Sequence, residues 1–262
     1  MDNSSLFDVK GKIVLVTGGA KGIGRMISEG FVQNGATVYI SSRDAKACEQ
    51  ACKELNALGK GKADYIAADL YNEDAAKNIA EELKKRAGKL DVIVNNSGSN
   101  WGESYDKYPA AAWDRVLNLN LKRVFQLTQA VTPLLEAAST PSSPARIINI
   151  GSVDGLRVPA LETFAYSASK AGLHHMSRVL ASHLGKRGIT SNTIACGPFQ
   201  SKMMKATLEK FKDVIESGIP LGRIGSPEDV AGTCIWLSSR AGSYVNGATI
   251  ALDGGSVVGA KL

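Results

Sequence analysis

The sequence predicts an α/β fold, a doubly wound parallel sheet of about seven strands with helices on both faces. Apolar runs alternate with helical patterns along all 262 residues, the rhythm of repeated βα units. The strand candidates are continuous apolar runs rather than alternating ones, as expected when both faces of a sheet are buried. No linker or composition break interrupts the series, so residues 1–262 read as one domain.

The first strand is "KIVLVTG" at 12–18, and "GIGRMISEGFVQNG" after it has helical spacing. "ATVYISS" at 36–42 is the second strand, followed by the helix "DAKACEQACKELNAL". "ADYIAADL" at 63–70 is the third, with a helix over 72–88, and "LDVIVNNSG" at 90–98 is the fourth. One long helix is expected over about 109–137, then a surface loop at "ASTPSSPA", 138–145. "ARIINIGS" at 145–152 is the fifth strand, residues 165–186 form a second long helix, and "ITSNTIAC" at 189–196 is the sixth strand. A helix near 227–239 and the strand "ATIALDG" at 248–254 complete the pattern.

Composition excludes several function classes. Hydrophobic residues make up 44% and charged residues 21%, an ordinary globular balance. The net charge is +6 without any basic block, which gives no support to nucleic-acid binding. No stretch reaches the roughly 18 apolar residues of a membrane span. The N-terminus "MDNSSLFDVKGK" lacks the apolar core of a signal peptide, so a soluble cytoplasmic protein is expected. Cys48, Cys52, Cys196 and Cys234 have no metal-ligand spacing and read as reduced thiols. His174, His175 and His183 share one helical segment; adjacent histidines face different ways, so no metal pair is expected and polar-face positions are.

The stretch "TGGAKGIG" at 17–24 follows a strand and opens a helix. Gly18, Gly22 and Gly24 let backbone approach a pyrophosphate, and the helix N-terminus favours its charge. This is the context a dinucleotide needs. At the end of the second strand stand Ser41, Ser42 and Arg43, with no carboxylate before Asp44, and Lys21 lies in the glycine turn. Two cations there suit the 2′-phosphate of NADP(H). Loss of one charge-assisted bond to it would weaken binding about tenfold to a hundredfold.

With "TGGAKGIG", "AADL", "NNSG", "LNLNLKRVF", "GSVDG", "YSASK" and "LDGG" in this order, the chain resembles the short-chain dehydrogenase/reductase family over about residues 8–257. Within it, the chain looks most like 3-oxoacyl-[acyl-carrier-protein] reductases and related fungal and bacterial carbonyl reductases. The resemblance implies a single-domain Rossmann fold and a catalytic set of Asn120, Ser152, Tyr166 and Lys170. It implies cofactor contacts from Gly18, Lys21, Gly22, Ile23, Gly24, Ser42, Arg43, Asp69, Leu70, Asn96, Ser97, Gly98, Tyr166, Lys170, Gly197, Phe199 and Ser201. It also implies a homotetramer or homodimer, with 109–137 and 165–186 packing across one interface and the C-terminal strand across another. Cys196 stands where the family usually has proline, and the Ser152-to-Tyr166 interval is one residue longer than in many relatives.

The residues carry a chemistry of their own. Reducing a carbonyl places charge on its oxygen, and a proton must reach it. Tyrosine, with a pKa near 10, is a poor participant near neutrality. Tyr166 and Lys170 are one helical turn apart. A cation at about 4 Å, at an effective dielectric of about 20, is worth about 4 kcal/mol to tyrosinate and is expected to bring the phenol toward neutrality. Ser152, just after the fifth strand, can steady the developing charge. The resemblance implies that Asn120 holds a water linking Lys170 to solvent.

Trp101, Tyr105, Phe199, Met203 and Met204 are expected to form an apolar, adaptable pocket wall, with a mobile lid at about 198–219. The expected substrate is a hydrophobic ketone or a 3-oxoacyl thioester, with an acyl carrier protein as a candidate partner. Two other readings stand beside this reductase: an alcohol dehydrogenase working mainly in the oxidative direction, and a non-catalytic NADPH-sensing regulator.

Overall fold

The sheet has seven parallel strands in the order β3-β2-β1-β4-β5-β6-β7. They are β1 (Ile13–Thr17), β2 (Thr37–Ser42), β3 (Lys62–Ala67), β4 (Val92–Asn95), β5 (Ala145–Ile150), β6 (Ile189–Cys196) and β7 (Thr249–Leu252). The computed structural model describes residues 2–201 and 204–259.

Successive residues of a strand face opposite sides of the sheet, and here both sides are packed. Val14 and Val16 of β1 join one core with Val38, Ile40, Val92, Val94 and Ile148. Leu15 between them joins a second core with Tyr39, Ile93 and Ile147. The first core is covered by α2 (Gly22–Gln33), α3 (Ala45–Asn56) and α9 (Pro227–Ser238) through Ile27, Phe31, Leu55, Val230 and Leu237. The second is covered by α4 (Ala75–Ala87) and α6 (Arg123–Ala138) through Ile79, Leu83, Leu127 and Val131. The four cysteines are free and buried.

Helix ends follow local chemistry. Asp44 caps α3 by accepting the Ala47 amide at 3.0 Å. A capping box of Ser226 and Asp229, with Pro227 just inside, starts α9. Its far end is closed by a buried cation. Arg146 of β5, 1% exposed, donates to the carbonyls of Leu237 at 2.8 Å and Ser239 at 3.1 Å, and also to that of Pro144. Burial pulls its guanidinium down to about 10, yet it stays protonated at neutral pH and suits a helix C-terminus.

Two elements differ from expectation. The long helix over 109–137 is divided into α5 (Ala110–Leu117) and α6 by a π-helical turn at Asn118–Lys122. A π turn needs a tertiary reason rather than a propensity, and here the turn carries Asn120. Helix α8 (Lys205–Ser217), within the stretch expected to form a lid, is broken by a non-helical Phe211 and exposes Phe211 and Val214. The N-terminal α1 (Asn3–Leu6) is a short addition, capped by Asp2. No helix among the described residues is long and apolar enough to cross a membrane.

Candidate active site

Strands β1 and β4 are neighbours, and the chain winds away from them in opposite directions. Such a switch point opens a crevice at the C-terminal strand ends. Thr17 closes β1 and organises both lips. Its Oγ1 accepts the amides of Asn96 and Ser97, each at 2.9 Å. Asn96 donates from its side chain to the Thr17 carbonyl at 2.8 Å, so its amide braces the glycine turn.

The glycine turn fits a pyrophosphate on structural grounds. Gly18 has φ +66 and Gly22 φ +55, conformations that favour glycine. A Cβ at Gly18 would lie 2.8 Å from Asn96 Nδ2, and one at Gly24 would strike the Gly18 carbonyl. Helix α2 opens at Gly22 with no side-chain cap on its first amides, which leaves them for an anion. Ile23 packs partly into the core. Ser201 lies across from Gly22, its Cβ 3.3 Å from where a Gly22 Cβ would be.

Around the rim, Lys21 Nζ pairs with Asp44 Oδ2 at 3.2 Å, and both are exposed. A 2′-phosphate beside Ser42 and the exposed Arg43 would share Lys21 with that carboxylate. Asp69 accepts the Tyr71 amide at 3.1 Å and shapes the turn after β3, with Leu70 partly buried in the second core. Ser97 and Gly98 are partly buried at the end of β4. A Cβ at Gly98 would sit 3.3 Å from Asn120 Oδ1 and 3.8 Å from Lys170 Nζ, so the bare backbone leaves passage to both.

Ser152, Tyr166, Lys170 and Asn120 converge beyond β5. Tyr166 and Lys170 lie on α7 (Phe164–Leu184). Ser152 starts the turn that joins β5 to that helix; its Oγ accepts the Asp154 amide at 3.1 Å. The Ser152 side chain lies near enough to the Tyr166 phenol to favour its phenolate. Lys170 is 5% exposed and donates to the Ile150 carbonyl at 2.7 Å. Burial lowers its ammonium to about 8, against a small opposing pull from the Cys196 thiol.

Three expectations need correction. Lysine does not carry Tyr166 toward neutrality. Burial dominates and pushes the phenol up to about 12, with Ser152 pulling the other way. Lys170 Nζ is 5.6 Å from the ring centroid and is spent on Ile150. The Asn120 carboxamide is engaged within the protein. It is 1% exposed and donates to the Ser99 carbonyl at 2.9 Å and Ser169 Oγ at 3.0 Å, while its Oδ1 accepts the Ser99 amide at 2.8 Å. Phe199 keeps its ring in the first core, beside a small cavity that it lines with Pro198, Ile219 and Leu221, rather than facing an open substrate wall. It is 2% exposed in the first core, where a Cβ on Gly225 would collide with it. His174 is not on a polar face: it is 2% exposed and receives the Ser152 amide at 3.4 Å.

Gly197 donates to the Leu252 carbonyl at 2.9 Å, and its missing Cβ leaves 2.8 Å to the Asp253 backbone. Cys196 takes the proline position as a buried strand end paired with Leu252; burial pushes its thiol up to about 12. Trp101 is partly exposed beneath Arg115, 5.9 Å from the ring centroid. Met204 is partly buried, and Met203 lies outside the described residues.

Two neighbours of the site escaped the sequence reading. Asp154 is half-buried beside Arg157 and Tyr166, its carboxyl raised by burial. Its place two residues after Ser152 was the available signal. For His174 the signal was its spacing of four from Lys170, the same spacing that singled out Tyr166.

Residues 18–257 match a family model described as enoyl-(acyl carrier protein) reductase. The chain is also 41% identical over 251 residues to the rhamnolipids biosynthesis 3-oxoacyl-[acyl-carrier-protein] reductase of Pseudomonas aeruginosa, covering 95% of this chain and 97% of the relative. The chain is a short-chain dehydrogenase/reductase. This short-chain dehydrogenase/reductase is 36% identical over 250 residues to the 3-oxoacyl-[acyl-carrier-protein] reductase FabG of Thermotoga maritima, covering 95% and 99% of the two chains. Its fold superposes on the Pseudomonas aeruginosa RhlG/NADP active-site complex with a TM-score of 0.92, at 41% identity, over 97% of this chain and 99% of that one. It also superposes on a Beutenbergia cavernae protein described as a putative NAD(P)-dependent gluconate 5-dehydrogenase with bound NADP at low occupancy, with a TM-score of 0.89 at 31% identity over 97% and 100%. As an oxidoreductase of this family it resembles 3-oxoacyl-acyl-carrier-protein reductases.

Proposed function

We propose that this short-chain dehydrogenase/reductase is an NADPH-dependent ketoreductase in which Tyr166 protonates the carbonyl oxygen. The observation that carries the reading is the convergence of Tyr166, Ser152 and Lys170 beyond β5, across a crevice from an uncapped glycine turn. NADPH, when bound, supplies the hydride to the carbonyl carbon. Gly18, Lys21, Gly22, Ile23 and Gly24 would hold its pyrophosphate, with Ser42 and Arg43 at the 2′-phosphate. Asp69 and Leu70 would lie by the adenine, and Asn96, Ser97, Gly98, Lys170, Gly197 and Ser201 toward the nicotinamide end. RhlG and the Beutenbergia cavernae protein, both solved with NADP, support this choice.

The proton step follows from the site's electrostatics. With its phenol pushed up to about 12, Tyr166 stays protonated at neutral pH and is ready to donate. An alkoxide formed at carbon is far more basic than a phenolate, so the transfer runs downhill. Ser152, whose Oγ already accepts from Asp154, keeps its proton for the substrate oxygen or the phenolate. The phenolate left behind is steadied by Ser152, while Lys170, positively charged in most molecules below its value of about 8, is held by the Ile150 carbonyl. The Asn120 carboxamide holds the Ser99 segment. A protonated tyrosine favours reduction over the oxidative direction, which needs the phenolate at the start.

The substrate we infer is a hydrophobic ketone or a 3-oxoacyl thioester, carried on coenzyme A or on an acyl carrier protein. A cleft of ≈ 740 Å³ runs beside the start of α7, lined by Tyr105, Tyr108, Trp113, Val158, Leu161 and Phe164. It gives an apolar chain a wall within reach of the tyrosine's helix. A cytoplasmic homotetramer remains part of the proposal; Trp113, Phe125 and Val179 on helices α5, α6 and α7 are exposed as an interface requires. NADPH consumption across acyl thioesters, β-ketoesters and bulky cyclic ketones tests the function. Turnover of thioesters or apolar ketones supports it. Tight NADPH binding with no carbonyl reduced would favour the sensing regulator.

A further inference from the structure

His174 lies one turn beyond Lys170 and two turns beyond Tyr166 on α7, so the three side chains share a face. Its ring is 2% exposed and wedged against the turn that carries Ser152. A Cβ at Gly151 would collide with Nε2, and one at Gly155 would stand 2.8 Å from Cε1, so both glycines make room for the imidazole. Nε2 accepts the Ser152 amide at 3.4 Å. An accepting Nε2 puts the neutral ring's proton on Nδ1, which is buried without a partner among the described residues. Burial, with Lys170 and Arg178 nearby, keeps the ring uncharged.

We propose that His174 is a positioning residue: by accepting the Ser152 amide it fixes the turn from which the Ser152 hydroxyl reaches Tyr166. The proposal rests on Ser152, Tyr166 and Lys170 being the reacting set. A leucine of similar bulk would fill the space but leave the Ser152 amide buried and unpaired, and the turn would shift to find an acceptor. Glutamine would fill it and keep an accepting oxygen. Because Ser152 sits at the reacting oxygen, a shift of about 1 Å costs up to about a hundredfold in rate.

The test compares H174L, H174Q, S152A, S152A/H174L and Y166F as full-length proteins. The substrate is acetoacetyl-CoA, or the β-ketoester or cyclic ketone that wild type reduces fastest. We expect H174L to lower kcat about tenfold to a hundredfold while NADPH affinity stays within about twofold, and H174Q to recover to within about fivefold of wild type. In the S152A background, where the hydroxyl is already gone, H174L should cost less than about twofold, a non-additivity that general loosening would not give. Wild-type kcat in H174L, a full additive loss on top of S152A, or an H174Q as impaired as H174L would each overturn the proposal. H174Q carries the test by itself where H174L fails to fold. Activity surviving in Y166F would instead remove the catalytic reading beneath it; loss in Y166F with H174L unimpaired sinks His174 alone.

Discussion

Replacing Asn120 by alanine should destabilise the protein as well as slow it, because its carboxamide is a clamp. Three hydrogen bonds at 2.8, 2.9 and 3.0 Å tie it to both backbone groups of Ser99 and to Ser169 Oγ. Ser169 keeps a second bond, to the Tyr166 carbonyl at 2.7 Å, so its loss is small. The Ser99 amide and carbonyl lose their partner. Each orphaned group costs about 1–3 kcal/mol. Two such groups span about 2–6 kcal/mol, and because Ser99 is only partly buried the sum falls in the lower half, at about 3 kcal/mol. For a chain of this size that is a fall in Tm of about 6–12 °C. Asn120→Asp should be no better, since a carboxylate keeps an acceptor for the Ser99 amide but sets a second oxygen against its carbonyl. The measurement is urea unfolding followed by circular dichroism, with NADPH affinity recorded alongside. An Asn120→Ala protein within about 0.5 kcal/mol of wild type would refute the clamp and return Asn120 to the role of water holder.

Arg43→Ala should raise KM for NADPH about tenfold to a hundredfold and leave KM for NADH nearly unchanged; equal effects on both would remove the 2′-phosphate from this corner. His174 titrates at about 4 in the fold against an ordinary 6.5, so the unfolded chain binds the extra proton first. Stability from this group is therefore whole above pH 6.5 and is lost as pH falls toward 4, by up to about 3 kcal/mol. H174Q should flatten the wild-type slope of unfolding free energy over that window, and an unchanged slope would contradict the assignment. Arg146→Met leaves the carbonyls of Leu237, Ser239 and Pro144 without their donor. It should cost about 3 kcal/mol or more, read as a lower urea midpoint; an unchanged midpoint would show that water replaces the guanidinium.

The strands could be read from sequence to within a few residues, because strands buried on both faces must be apolar throughout, as Val14, Leu15 and Val16 are. The glycine turn was equally readable, since Gly18 and Gly22 adopt the backbone that only their position after β1 required. The site's residues were found by pattern, but their electrostatics were not. A spacing of four places Lys170 beside Tyr166, yet only the folded chain shows the Ile150 carbonyl taking the ammonium, or burial outweighing the charge. Asn120 looked like an interior helix residue because a π turn has no composition of its own. His174 looked polar because a helix's buried face is set by what packs on it, and Gly151 and Gly155 sit elsewhere in the sequence. Phe199, an apolar residue in a loop, could have faced substrate or core; Gly225 decides for the core.

Tyr166 as proton donor is tested most directly by Tyr166→Phe, which removes one oxygen and keeps the ring. On the best ketone of the panel, kcat should fall by about 10²-fold or more, while NADPH binds within about twofold of wild type and the fold is intact by circular dichroism. A Tyr166→Phe enzyme that still reduces the ketone at a rate near wild type would contradict the mechanism.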